Sequence, residues 1–282
     1  MIEILLSPFS YEYMLKAIWI SALVGTICSF LSAFLVLKGW SLIGDALSHS
    51  IVPGVAGAYM LGLPFSFGAF VAGGLAAISI LFLQKFSGLK EDTIIGLTFT
   101  TFFGLGLFMV SISPMSVSIQ TITLGNVLGI SDYDIVQILI ISSITIFILF
   151  FKWKDLMVVF FDEKQAKAIG LQPFFLKAMF FVLLSATCVT ALQTVGAFLV
   201  IALIITPGAS AYLLTDRFPK LLLYSTTIGF FTCFFGAYIS YFLDGATGGV
   251  IVILQTSIFV LVFLFAPKHG YLKKNKMYKN LK

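Results

Sequence analysis

Charge is what this chain has least of. Only 10% of its 282 residues are Asp, Glu, Lys or Arg, against about 25% in a soluble domain. Such a chain cannot cover itself with polar surface in water, so lipid must be its solvent. Cysteine is scarce too: Cys28, Cys188 and Cys233 stand singly inside apolar runs, with no CxxC pair. That excludes a disulfide framework and leaves three small buried hydrophobes. The formal charge of +5 is not gathered into a basic soluble domain, which excludes a nucleic-acid binder. Catalytic signatures are missing as well, since neither HExxH nor GxSxG occurs. Gly39-x-x-x-x-Gly44 has the outer spacing of a phosphate loop, but Asp45 follows where lysine is needed. Any ATP hydrolysis must therefore take place in another chain.

What is abundant is hydrocarbon. Hydrophobic residues make up 60% of the chain, and 31 residues are Phe. The apolar runs are long and lack two-residue alternation, which selects helices over a barrel. Spans of about 20 residues fit nine segments: 13–37, 43–62, 66–86, 92–112, 133–151, 172–192, 194–214, 219–243 and 246–266. The expected fold is all-α, a polytopic integral membrane protein of about eight to nine transmembrane helices. It fills the chain, 1–282, as one transmembrane domain without internal repeat. The second segment is the irregular one, because it opens with Asp45 and His49 and carries Pro53 and several glycines.

Basic residues set the orientation. Alternating the segments places Lys38, Lys85, Lys90, Lys152, Lys154, Lys164, Lys167, Arg217, Lys220 and the tail 268–282 on one side, with Lys16 opposite. The positive-inside rule makes that side cytoplasmic and the N-terminus external. Glu3 and Glu12 precede the first run, so it reads as an uncleaved span rather than a signal peptide. Residues 113–132, with Gln120 and Asn126, form an external connection. Residues 152–171 form a cytoplasmic one with an amphipathic helical pattern, and connections of that length usually carry function.

One pair of side chains carries chemistry. Asp45 and His49 are four residues apart in GDALSHS, hence on one helical face with Cβ atoms roughly 5–6 Å apart. Ionisable groups at membrane depth usually mark an ion path. A carboxylate with an imidazole suits Mn²⁺, Fe²⁺ or Zn²⁺ better than Ca²⁺ or Mg²⁺. Two ligands hold weakly, as a conduit requires, and two copies about a two-fold axis would supply four. The competing readings are a salt bridge, or Asp45 as a helix cap. Gln193, Thr194, Thr206 and Gln255 fit inter-helical hydrogen bonds, and His269 fits a solvated tail. Gly125-x-x-x-Gly129 and Gly245-x-x-x-Gly249 have close-packing spacing.

Six runs are specific enough to carry a resemblance: GWSLIGDALSHSIVPGVAGAYMLGLP (39–64), EDTIIGLTFTTFFGLGLFMVS (91–111), QTITLGNVLGI (120–130), KWKDLMVVFFDEKQAKAIGL (152–171), LQTVGAFLVIALIITPGASAYLLTDR (192–217) and YFLDGATGGVI (241–251). They resemble the membrane permease of bacterial metal-ion ABC importers, most of all the chelated-iron/manganese branch. The resemblance covers nearly the whole chain. It implies the ABC importer permease fold, no permanently bound cofactor, and transport of Mn²⁺ or Fe²⁺, with Zn²⁺ as a further candidate. It implies a second permease copy or paralogue, two ATPase subunits that hold ATP and Mg²⁺, and an extracytoplasmic metal-binding protein in the bacterial inner membrane system. The family's metal-contacting positions fall here on Asp45 and His49. Its ATPase-coupling segment falls on Asp162, Glu163, Ala166 and Gly170. The rival classes are an ion-coupled secondary metal transporter, for which inverted repeats and several intramembrane acids are expected, and a membrane metalloenzyme, for which three ligands are expected.

Overall fold

The structure, a computed structural model, describes residues 5–40, 42–112, 130–266 and 270–271. Among the described residues, a 3₁₀ turn at Ser7–Ser10 is followed by eleven α-helices: α1 Glu12–Lys38, α2 Ile43–Ser50, α3 Val52–Leu61, α4 Phe65–Phe86, α5 Glu91–Ile112, α6 Asp132–Phe161, α7 Glu163–Ala168, α8 Pro173–Val195, α9 Ala197–Leu214, α10 Phe218–Leu243 and α11 Thr247–Phe265. Among the described residues no strand occurs. Seven of the described helices are long and apolar enough to cross a membrane, with a shorter apolar helix at Leu199–Leu214. The expected second span is instead a broken pair, α2 and α3. Pro53 explains the break: it has no N–H for the carbonyl of His49 four residues earlier, and its ring crowds that carbonyl. The chain turns at two glycines in the left-handed region, Gly39 (φ 77°) after α1 and Gly62 (φ 67°) after α3. Each donates its N–H back into the last helical turn.

Helix α1 lies at the centre, packed by α10, α9, α6 and α8. Its small residues Ser21, Gly25, Ser29 and Ser32 recur at three- and four-residue spacing and are all buried, forming a stripe that lets helices approach closely. A Cβ on Gly25 would press on the Gly229 carbonyl and Cys233 of α10, and Ser225 Oγ donates to the Ser29 carbonyl at 2.6 Å. A second close crossing joins α3 to α4 at Gly54 and Gly68, where each glycine faces the other's backbone. Gly245 and Gly249, which have the close-packing spacing near a span end, are not pressed by any neighbour, and Gly125 and Gly129 lie outside the described residues. Gln255 behaves as expected, with Nε2 donating to Thr232 Oγ1 at 3.2 Å between α11 and α10.

Helix α6 is longer than its sequence pattern led us to expect. The apolar span 133–151 continues without interruption through Phe161. Thirty residues extend about 45 Å, more than the roughly 30 Å hydrocarbon layer. Nothing in 152–161 breaks the helix, and Leu156, Val159 and Phe160 bury themselves against the bundle. Asp162 ends it. Its side chain accepts from the N–H groups of Lys164 (2.8 Å) and Gln165 (3.1 Å) and so starts α7. The region 152–171 is thus the end of one helix plus one short helix.

Candidate functional site

Helix α2 is only eight residues long, yet nearly all of it is buried. Gly44 lets it lie against Ile204 of α9, where a Cβ would collide. Ser48 Oγ donates to the Gly44 carbonyl at 2.8 Å, and Ser50 Oγ donates to that of Ala46. These bonds satisfy hydroxyls that would otherwise be unpaired in an apolar setting. Two side chains of α2 stay half-exposed, and they are Asp45 and His49. His49 Nε2 lies 3.3 Å from Asp45 Oδ1, one helical turn away.

The far side of His49 is apolar. Phe99 and Phe103 of α5 stack on each other and both meet the imidazole edge-on, with centroids 5.6 and 5.4 Å away. They hold the ring in place and leave its Nε2 edge to Asp45 and the open side. Asp45 does not cap α2: its cap position is Leu42, which makes no side-chain hydrogen bond. Among the described residues, Asp45 has no Lys or Arg ion partner, and no group of three His, Cys, Asp or Glu is assembled. The arrangement is therefore a two-group half-site, open on one side.

The other segment singled out by the sequence is α7 with its flanks. Asp162 is its cap, and Ala166 is buried beneath it. Glu163 meets Lys177 of α8 at 2.6 Å and Lys167 at 3.3 Å. Lys177 first, and Lys167 after it, hold the Glu163 carboxyl below its ordinary range. Gly170 (φ 83°) is left-handed and closes the turn. Lys164, Gln165, Lys167 and Ile169 face outward.

Sequence reasoning missed the element between these two places. Trp40, just ahead of α2, is fully buried; it stacks on Phe181 and meets Phe160 edge-on, both at 5.3 Å. Its Nε1 donates to Glu91 at the start of α5, and Lys38 lies 4.0 Å from the same carboxylate. The end of α6, next to α7, is thus in direct contact with the residue that leads into α2. An indole in a short connection between apolar helices was the only available signal. Gln193 and Thr194 have no described side chains, and His269 lies outside the described residues.

The profile of the ABC 3 transport family matches residues 10–266. The chain belongs to that family. Among curated relatives of this ABC 3 protein, the chelated iron transport system membrane protein YfeC of Yersinia pestis is 60% identical over 272 residues, covering 96% of this chain and 92% of that protein. The manganese transport system membrane protein MntB of Synechocystis is 47% identical, covering 95% and 88%. A solved structure, PsaBC from Streptococcus pneumoniae in complex with Fab, is 35% identical to this ABC 3 chain with a TM-score of 0.84, covering 98% of this chain and all of that one. As an ABC 3 permease, the chain is a multi-pass membrane transport subunit and not the ATPase.

Proposed function

We propose that this permease moves a divalent transition-metal ion, manganese or iron with zinc as a further candidate, inward across the bacterial cytoplasmic membrane. In this reading Asp45 and His49 are its transient ligands. The observation that carries it is the half-exposed pair, 3.3 Å apart and without a Lys or Arg counter-charge among the described residues. The names of the iron and manganese relatives point to the same substrate class. An oxygen and an imidazole nitrogen fit such ions. The carboxylate supplies charge, and His49 binds only as the neutral imidazole.

A second permease copy or paralogue, packed about a two-fold axis, would bring a matching pair and complete a four-group ring. An extracytoplasmic binding protein delivers the ion to it. Two ATPase subunits, which hold ATP and Mg²⁺, engage 162–170 on the cytoplasmic face, where the basic loops and the C-terminus lie. Their unequal contact with outward- and inward-open states supplies the bias. The contact of Phe160 with Trp40 is one physical route from that segment to α2. Family membership supports this ATP-driven reading over an ion-coupled secondary transporter.

The test is metal uptake by cells or proteoliposomes carrying Asp45→Ala or His49→Ala in the assembled transporter. Each variant should lose most of its uptake while the complex still purifies intact and hydrolyses ATP. Undiminished uptake in both would overturn the assignment.

A further inference from the structure

Trp153, Lys154, Phe161, Arg217, Phe218 and Lys220 line one groove of about 670 Å³ between the end of α6 and the start of α10. Its floor is apolar and its rim carries three cations. Among the described residues, none of the three pairs with a carboxylate. Asp155, next to Lys154 in sequence, is engaged by Lys152 at 2.9 Å. The Lys154 ammonium rests over the Trp153 ring, 5.6 Å from its centroid, an amphipathic combination that suits the headgroup layer.

The groove does not end at its rim. Lys154 shares a helical face with Phe150, Phe151 and Phe147, at three- and four-residue steps towards mid-membrane, and all three phenylalanines are exposed. On α10, Lys220 is followed by exposed Leu223 and Tyr224 on its own face. Two apolar rails therefore run from the cationic rim into the lipid region. A protein partner would need the rim but not the rails. An amphiphile with an anionic head needs both.

We infer that this groove is a binding site for an anionic phospholipid, with the phosphate head held by Lys154, Arg217 and Lys220 and the acyl chains lying on the α6 and α10 rails. On the orientation proposed above, the lipid comes from the cytoplasmic leaflet, where basic pockets between helices recruit such headgroups. This places a structural lipid beside the short helix that meets the ATPase.

The test uses the assembled transporter in nanodiscs of phosphatidylcholine with and without phosphatidylglycerol, read by native mass spectrometry after a delipidating wash and by thermal midpoint. The wild type should retain phosphatidylglycerol and melt higher with it. The triple variant Lys154→Gln, Arg217→Gln, Lys220→Gln should bind it roughly tenfold to a hundredfold more weakly, because each basic group near an anionic surface contributes several-fold. A control triple, Lys85→Gln, Lys90→Gln, Lys152→Gln, should behave as the wild type. Equal retention in all three proteins would overturn the inference. So would loss of the ATPase subunits from the first triple variant with its lipid retained, which would make the groove a protein-docking surface. Metal transport is not the readout, so failure here leaves the Asp45/His49 assignment standing.

Discussion

Ser32 Oγ accepts the backbone N–H of Gly208, 3.0 Å away, across the contact between α1 and α9. The bond exists because Pro207 sits inside α9 and disturbs the regular ladder around it. In lipid no water stands by to satisfy a loosened amide, so a side chain from the neighbouring helix does. Ser32→Ala should cost about 1–3 kcal/mol, measured as a lower unfolding midpoint of the solubilised permease. An unchanged midpoint would show that the amide finds another partner.

The α3–α4 crossing is tighter still. A Cβ at Gly54 or Gly68 would run into the other's backbone carbonyl, which cannot rotate away. Gly54→Ala and Gly68→Ala should each destabilise by about 1–3 kcal/mol through overpacking. Gly74, on the same α4 helix, faces open space, and Gly74→Ala should be neutral or slightly stabilising. Thermal unfolding of the three variants side by side checks the contrast.

Trp40 combines packing with one polar bond, and two substitutions separate them. Trp40→Phe removes the donor to Glu91 but keeps most of the aromatic volume, at about 1 kcal/mol. Trp40→Ala empties the space between Phe160 and Phe181 and should cost about 3–5 kcal/mol. If Trp40 also links α7 to α2, Trp40→Ala should slow uptake more than ATP hydrolysis, whereas equal slowing would reduce its role to stability.

Glu163 gives a pH dependence. Its carboxyl titrates below the ordinary range in the folded protein, chiefly because Lys177 holds it. A carboxylate depressed in this way stabilises fully above its unfolded value of about 4.3. The contribution fades as pH falls below that value towards the lower folded one. The difference in thermal midpoint between wild type and Glu163→Gln should therefore be full at neutral pH and shrink as pH drops below about 4. The effect should be small, because half-exposed ion pairs are screened by water and salt.

Asp45 and His49 should act as one unit. If both contact the same ion, the double variant Asp45→Ala/His49→Ala should transport no worse than the poorer single variant, as expected for groups that share a ligand. Each single change should lower apparent metal affinity by at least about tenfold. Strict additivity in uptake assays would mean that the two residues serve separate purposes.

Much of this molecule was legible in one dimension. Nine apolar segments are readable because hydrocarbon demands a minimum length of apolar helix and internal hydrogen bonding, both local properties of the chain. The Asp45/His49 juxtaposition was equally local, since four-residue spacing already puts two side chains on one face. The runs around it sufficed to suggest the permease family to which the chain belongs. Local pattern stopped short at the end of α6, where Lys152 and Lys154 marked a boundary for charge but not for the helix, which runs on to Phe161.

Tertiary packing decided the rest. Which glycines mattered depended on what stood opposite them: Gly54 and Gly68 meet backbone, Gly249 meets nothing, and spacing alone does not distinguish the two. Phe99 and Phe103 flank His49, and Trp40 bridges Phe160 to Glu91, only because helices distant in the chain are brought together in the bundle. Sequence determined that lipid is the solvent, that the elements are helices and where the ionisable pair lies, because those follow from neighbours within a turn or two. Only the assembled bundle determined which of the pair's edges stays open and what touches it, because packing between helices obeys shape complementarity that no single helix carries.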